Sequence, residues 1–175
     1  MAVERYHSPL GDLTIAADDE GLCGVWFAKQ KHFGKAGSTV LVEGNAPHAL
    51  SVAESPVCIH LDAARIWLDR YFMGEDPGVL PSLHLMGTPF QRAVWEALAT
   101  IPYGETMTYG AIATELEPRL SRRISARAVG GAVGRNPVSV IVPCHRVLGA
   151  GDAITGYAGG LDRKRGLLQL EGIEI

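Results

Sequence analysis

Three cysteines are all that 175 residues contain, and Cys23, Cys58 and Cys144 stand far apart. No CxxC pair and no Cys/His array with zinc spacing occurs, so neither a disulfide framework nor a structural metal is expected. No window approaches the roughly 18 uninterrupted apolar residues of a membrane span. The opening "MAVERYHSPLG" lacks the basic stretch and apolar core of a secretory leader. A large positive charge is missing too: the net charge of −3 argues against a generic nucleic-acid binder. These absences leave a soluble, cytoplasmic or nucleoid-associated protein as the expectation, with no membrane partner.

The chain is otherwise ordinary for a globular protein, with 47% hydrophobic and 20% charged residues and enough length for one large core or two small ones. Its charge is uneven. Residues 1–87 carry −5 and residues 88–175 carry +2, which permits a local phosphate-binding face of modest, salt-sensitive affinity. Cys23 and Cys58 sit in apolar stretches and read as small buried hydrophobes.

Residues 5–27 alternate like strands, with Leu13 and Ile15 on one side of the turn-forming "ADDEG" and Leu22, Val25 and Phe27 on the other, so a hairpin is expected. The polar, glycine-rich stretch 28–48 reads as a long loop. From about Glu54 to Phe72 the residues Ile59, Ala63, Ile66, Trp67 and Tyr71 recur at helical spacing, and Gly74 follows as a stop.

At Thr88 a much sharper helix signal begins. Thr88 caps, Pro89 takes the first helical position, Gln91 completes a capping box, and Phe90, Val94, Trp95 and Leu98 form the apolar stripe. Thr108 caps a second short helix and Ser125 a third, a pair that resembles a helix-turn-helix. The third helix, "SARAVGGAVGRNP", is unusual because Ala126, Ala128, Gly130, Gly131 and Ala132 strip its face of side chains. Each interior glycine costs about 1 kcal/mol. Two accounts stand open: close helix packing, or close approach to a minor groove with Arg127 as the one long reaching group. The β-branched run "VSVIVP" then reads as a buried strand delivering Cys144 at its end. "GAGDAITGYAGG" is a loop whose backbone can approach a ligand. Asp162 opens a last helix with Leu161, Leu167, Leu168 and Leu170 as its apolar positions and Glu171 near its end.

"PCHR" poses the chemical question, since neighbours on an extended chain point apart and Cys144 and His145 should not pair directly as nucleophile and base. Together, "TPFQRAVWEAL", "IPYGETMTYGAIA", "SARAVGGAVGRNP", "IVPCHRV", "GYAGG" and "LLQLEG" resemble, in order and spacing over residues 88–172, the O6-alkylguanine-DNA alkyltransferases. The resemblance implies a mixed α/β (α+β) protein. Residues 1–80 would form a small N-terminal sheet and helix domain like that of ribonuclease H. Residues 88–175 would form a mainly helical DNA-binding and alkyl-acceptor domain with the helix-turn-helix.

It also implies the reaction: an irreversible, single-turnover transfer of an alkyl group from O6 of guanine in double-stranded DNA to Cys144, with O4 of thymine left open as a second donor, and with no cofactor and no metal. His145 would take the thiol proton through a water, with Glu171 polarising the imidazole. Asn136 would tie the recognition helix to the active-site segment, and Tyr109 would contact a phosphate and help protonate the departing guanine. Arg127 would replace the flipped nucleotide in the stack, on a helix whose Ala126, Ala128, Gly130 and Gly131 admit it to the minor groove. Val147, Tyr157 and Ala158 would line the base pocket. The expected state is a monomer, with cooperative binding on DNA left open.

Three departures from the family pattern stand out. Ala158 occupies a position where many relatives carry Ser, "EPRLSRRIS" is a few residues longer and adds Arg119, Arg122 and Arg123, and Cys23 and Cys58 do not align with the zinc site of some relatives. Two other functions remain open on the sequence: a module that binds alkylated bases without transfer, and a turnover cysteine hydrolase, the latter weakened because such enzymes hold nucleophile and base on separate segments.

Overall fold

The computed structural model describes residues 1–36, 39–40 and 55–175. Most of the loop expected over 28–48 therefore lies outside the described residues. Its described part turns over Ala28–Gly34 and enters a short β4 (Lys35–Ala36) paired with β5 (Thr39–Val40). The chain divides into two compact units, one of Met1–Met86 with Pro137–Ile141, the other of Gly87–Asn136 with Val142–Ile175. The stretch 137–141, which a division into successive halves assigns to the second, belongs to the first.

In the first unit the expected hairpin is the second half of a three-stranded antiparallel meander, β1 (Ala2–Ser8), β2 (Gly11–Ala17) and β3 (Leu22–Phe27). The turn at 9–10 lets β1 pair along its whole length with β2, from Ala2 opposite Ala17 to Ser8 opposite Gly11. Every residue of β3 is buried, which is why "LCGVWF" reads as a continuous apolar run and not an alternation. Short parallel bridges flank it, Leu22 to Leu83 and Val25 to Val138.

Helix α1 (Pro56–Phe72) packs on this sheet, capped by Ser55, whose hydroxyl accepts from Cys58 N–H. Its buried face matches the expected one at Trp67 and Tyr71 only. Leu61, Ala64, Trp67, Leu68 and Tyr71 point inward, while Ile59 and Ile66 are each 59% exposed. Leu61, Ala64 and Leu68 complete the inward stripe in place of Ile59, Ala63 and Ile66.

Val3, Ala16, Cys23 and Trp26 form a buried cluster closed by Phe33 and Met86. Gly24 is what admits the Trp26 ring, because a Cβ at Gly24 would lie 1.7 Å from the ring's outer carbon. Gly24→Ala is expected to displace that ring and cost about 3 kcal/mol, the upper range for overpacking. At roughly 2–4 °C per kcal/mol for a chain of this size, calorimetry should find the melting temperature lowered by about 6–12 °C. An unchanged value would mean that Trp26 repacks without cost.

The second unit is mainly helical: α2 (Pro89–Ala99), α3 (Tyr109–Leu120), α4 (Ala126–Val133) and α5 (Leu161–Leu170). The capping box on α2 is formed as expected, with Gln91 N–H donating to Thr88 Oγ1 at 3.2 Å and Thr88 N–H to Gln91 Oε1 at 2.9 Å. Helix α3 starts at its Thr108 cap and runs on through Pro118, so part of "EPRLSRRIS" is helical, and it stops where Ser121 turns left-handed at φ 50°. Arg119 pairs with Glu96, and the Arg122 guanidinium lies 5.0 Å above the Phe90 ring. Helix α4 packs on α3, starts at its Ser125 cap, and its buried side receives the Trp95 indole N–H, which donates to the Ala132 carbonyl at 2.9 Å.

"VSVIVP" is not a strand. After the bridge at Val138 the backbone coils through turns, with Val140 at φ 71° and the Ile141 and Cys144 amides each bonded to the carbonyl two residues back. The apolar run reports burial, which the segment achieves without extension. Cys144–Arg146 is a 3-10 turn leading into β7 (Val147–Leu148). That strand pairs in parallel with β6 (Met107–Thr108), which sets the start of α3 beside the cysteine segment.

Candidate active site

In a 3-10 turn successive side chains are about 120° apart, so Cys144, His145 and Arg146 fan out around one axis instead of pointing to opposite faces. All three are buried. Asn136, just past α4, closes the irregular segment: its side-chain N–H donates to the Val142 carbonyl at 2.8 Å, and its side chain also hydrogen-bonds Cys144.

The His145 Nε2 lies 2.6 Å from Glu171 Oε1, and neither side chain is exposed at all. Burial by itself would raise the Glu171 carboxyl, but hydrogen bonds from His145 and Arg146 and the guanidinium charge override it and hold the group at about 2. An ionised carboxylate only accepts, so Nε2 carries the imidazole proton and Nδ1 keeps the lone pair. Burial lowers the His145 pKa, against the pull of Glu171. The imidazole therefore rests neutral, with a basic nitrogen on the side away from the carboxylate.

Burial pushes the Cys144 thiol up to about 11, against the pull of Asn136 and Lys164. This thiol is protonated at neutral pH, unlike an exposed low-pKa redox cysteine. The same holds for Cys23, which burial and Asp18 raise to about 11, whereas Cys58 is only half-buried. Titration of the folded protein with an aromatic disulfide near pH 7.5 is thus expected to modify one thiol fast, Cys58, and all three only in denaturant. Two fast thiols would contradict the burial of Cys23 or Cys144, and mass mapping of the labelled peptide tells which.

Two residues of this site escape the sequence reading. Nothing in the spacing of "PCHR" announces a role for Arg146. It lies buried across Glu171, donating from Nε to Oε2 at 2.8 Å and from Nη2 to Oε1 at 3.1 Å, and from Nη1 to the Ile101 carbonyl at 2.6 Å. Lys164, within "LDRKRG", looks like a solvated helix charge. Its side chain is wholly buried, and Nζ donates to the Val147 carbonyl at 2.5 Å and the Thr155 carbonyl at 2.8 Å. Burial lowers it to about 8, against the pull of Cys144. Its spacing of three and four from Leu167 and Leu168 was the available signal that it shares their inward face.

The other expected site residues fall on two sides of this centre. Tyr109, at the first position of α3, donates its hydroxyl to the Thr155 carbonyl at 3.3 Å, and burial raises its pKa. Val147 is buried, and Tyr157 and Ala158 are half-buried in the loop before α5. Ala126, Arg127, Ala128 and Gly131 lie exposed along α4, whereas Ala132 is turned into the core. Gly130 faces Tyr109, whose ring a Cβ would touch at 3.7 Å. Both accounts of the stripped helix thus have a side: Ala132 packs, and Ala126, Ala128 and Gly131 leave a bare outer surface.

Comparison with known proteins supplies the family. The family model "6-O-methylguanine DNA methyltransferase, DNA binding domain" matches residues 89–173, and "6-O-methylguanine DNA methyltransferase, ribonuclease-like domain" matches residues 1–77. The chain belongs to the 6-O-methylguanine DNA methyltransferase family. A Haemophilus influenzae methylated-DNA–protein-cysteine methyltransferase is 42% identical over 170 residues, 96% of this chain and 84% of that protein. A Methanosarcina acetivorans protein of the same name is 44% identical over 168 residues, covering 95% and 96%. The Mycobacterium tuberculosis OGT, solved in complex with DNA, superposes with a TM-score of 0.71 at 36% identity, covering 98% of this chain and 92% of that one. The expected mixed α/β architecture, with an N-terminal sheet unit and a helical C-terminal unit, is that of the 6-O-methylguanine DNA methyltransferases.

Among the described residues no group of three or more His, Cys, Asp or Glu side chains could hold a metal ion, and no helix is long and apolar enough to cross a membrane.

Proposed function

We propose that this protein repairs DNA by direct reversal, moving an alkyl group from O6 of guanine to the sulfur of Cys144. The observation that carries the proposal is the buried carboxylate–imidazole pair: His145 shares the 3-10 turn with a protonated Cys144, and Glu171 meets it from the end of α5. Adjacent side chains in that turn do not need to touch. A bridging water takes the thiol proton and hands its own to His145 Nδ1, and the thiolate attacks the alkyl carbon. The S–C bond forms as the C–O6 bond breaks, and its electron pair leaves with the guanine, which takes a proton with help from Tyr109. The thioether has no route back, so each molecule reacts once and no cofactor enters.

DNA approaches α4 by its minor groove, where Ala126, Ala128, Gly130 and Gly131 keep the helix slim. Arg127 fills the place of the extruded nucleotide, offsetting part of the few kcal/mol that flipping costs. The flipped base sits by Tyr157 and the Ala158 backbone. The carbonyls of Cys144 and Val147 accept from its exocyclic amine, although the Val147 oxygen already holds Lys164 and has one lone pair to offer. Asn136 ties this pocket to α4. The protein acts as a monomer in the cytoplasm, whose reducing conditions keep Cys144 a thiol.

The test is direct. After incubation with a duplex carrying one O6-methylguanine, peptide mass spectrometry is expected to find one methyl group on Cys144 and none on Cys23 or Cys58, with one equivalent consumed. A Cys144 peptide of unchanged mass, with the lesion still present, sinks the proposal.

A further inference from the structure

Glu171 serves more than His145. Each of its oxygens accepts two hydrogen bonds: Oε1 from His145 Nε2 and Arg146 Nη2, Oε2 from Arg146 Nε and the Gly104 amide at 3.1 Å. Arg146 is held in turn by the Ile101 carbonyl and by the Tyr103 ring, whose centroid lies 5.7 Å from the guanidinium, and the Tyr103 hydroxyl donates to the Leu170 carbonyl at 3.1 Å. The turn at 101–104, the 3-10 turn and the end of α5 are thereby closed into one ring about a single carboxylate.

Such a ring bears on where the proton from Cys144 comes to rest. A carboxylate facing an imidazolium alone, in a dry site, can take the proton itself and leave two neutral groups. A carboxylate gripped in a two-point fork by a guanidinium, which does not give up its own proton, is the weaker base. From these contacts we infer that Arg146 is a positioning residue for alkyl transfer, which holds Glu171 as a fixed anion so that the proton leaving Cys144 stops on His145. The inference rests on the transfer reading above. In the step, the S–H bond breaks and an Nδ1–H bond forms through the water, Nε2–H stays bonded to Oε1, and no proton passes on to Glu171.

The charged groups acting on His145 are Glu171 and Lys164 from α5 and Arg146 from its own turn, with the Cys144 thiol next to it in that turn. Glu171 favours the imidazolium, and Arg146 and Lys164 oppose it. Arg146→Gln removes one opposing charge, so His145 takes a proton at higher pH and rests already protonated in more molecules. A protonated imidazole cannot serve as base, so the acid-side limb of the rate profile moves up in pH.

Single-turnover rates on an O6-methylguanine duplex, measured from about pH 5 to pH 9, are expected to show that midpoint moved to higher pH in Arg146→Gln, with the rate on the acid limb about tenfold below wild type at equal pH. Arg146→Lys, which keeps the charge but not the fork, should restore the midpoint while its plateau stays below the wild-type plateau. A purely structural role lowers the rate equally at every pH and leaves the midpoint in place, which overturns the inference. Should the Gln variant not fold, the wild-type protein decides: the Glu171 carboxyl carbon signal in NMR should stay flat between about pH 4 and pH 8, and titration in that range overturns the assignment. Failure of the two readings is distinguishable. No methyl on wild-type Cys144 defeats the transfer itself, whereas an unmoved midpoint in a variant that still methylates Cys144 defeats only the role of Arg146.

Discussion

A Cys144→Ala protein is expected to bind an O6-methylguanine duplex within about twofold of wild type and to remove no methyl group from it, even at large molar excess over many hours. The thiol is buried, and its replacement removes one atom from a packed site, a loss on the order of 1 kcal/mol. Asn136 keeps its bond to the Val142 carbonyl when the sulfur is gone, so the joint between α4 and the 3-10 turn survives. The exposed side of α4 that is proposed to meet DNA is untouched. Two measurements separate the outcomes, gel retardation for binding and chromatography of the digested duplex for the lesion. A cleared lesion would place the acceptor at another residue. A lesion that persists while cells carrying Cys144→Ala remain fully protected from alkylating agents would make recognition alone the function.

Glu171→Gln should be the most damaging single change in the second unit. The amide cannot satisfy both His145 and a guanidinium fork, so Arg146 is left buried without its counter-charge. Breaking a buried pair in this way costs about 3–5 kcal/mol, or roughly 6–20 °C in melting temperature. The methyl-transfer rate should fall about a hundredfold or more, because the base loses the anion that stabilises its charged form.

The pH dependence has a definite sign. Glu171 is held at about 2, below its ordinary value of 4.5, so it binds fewer protons folded than unfolded. Its contribution, on the order of 3 kcal/mol, is complete above about pH 4.5 and is lost as pH falls toward 2. The stability gap between wild type and Glu171→Gln, read from denaturant melts, should narrow over that window. A gap constant from pH 6 to pH 2.5 would show that Glu171 is not ionised in the folded protein.

Much of this was legible in the chain wherever a local rule and the tertiary structure agree. Thr88, Pro89 and Gln91 announce α2 because a capping box is satisfied within four residues, with no help from elsewhere. Ser125 announces α4 for the same reason. The pairing of His145 with Glu171 came only from resemblance, since 26 residues separate them and no spacing rule connects a turn to the end of a helix. The errors share one cause. Apolar periodicity specifies burial at most, neither conformation nor facing: "VSVIVP" does not form the strand its run suggests, and of the expected stripe on α1 Trp67 and Tyr71 face inward whereas Ile59 and Ile66 do not. Val140 is buried at a left-handed φ, and Ile66 is exposed on a helix that turns Leu68 inward instead. Arg146 and Lys164 escaped because charge is ordinarily a surface signal; only the carbonyls and the carboxylate converging on them explain their burial.

The five residues 137–141 have a consequence for any attempt to take the protein apart. They close the flank of β3: Val25 N–H donates to the Pro137 carbonyl at 2.9 Å and Ser139 N–H to the Val25 carbonyl at 2.8 Å, while the Ser139 hydroxyl donates to Gln30. A polypeptide ending at residue 86 would present β3 as a raw sheet margin, with open donors and acceptors between buried apolar side chains, the kind of margin along which chains stack into aggregates. The complementary piece, from residue 87 onward, would carry Val138, Val140 and Ile141 with nothing to cover them. Genetic truncation at the natural-looking linker is therefore the wrong cut, and recombining two separately made halves should require that they fold together.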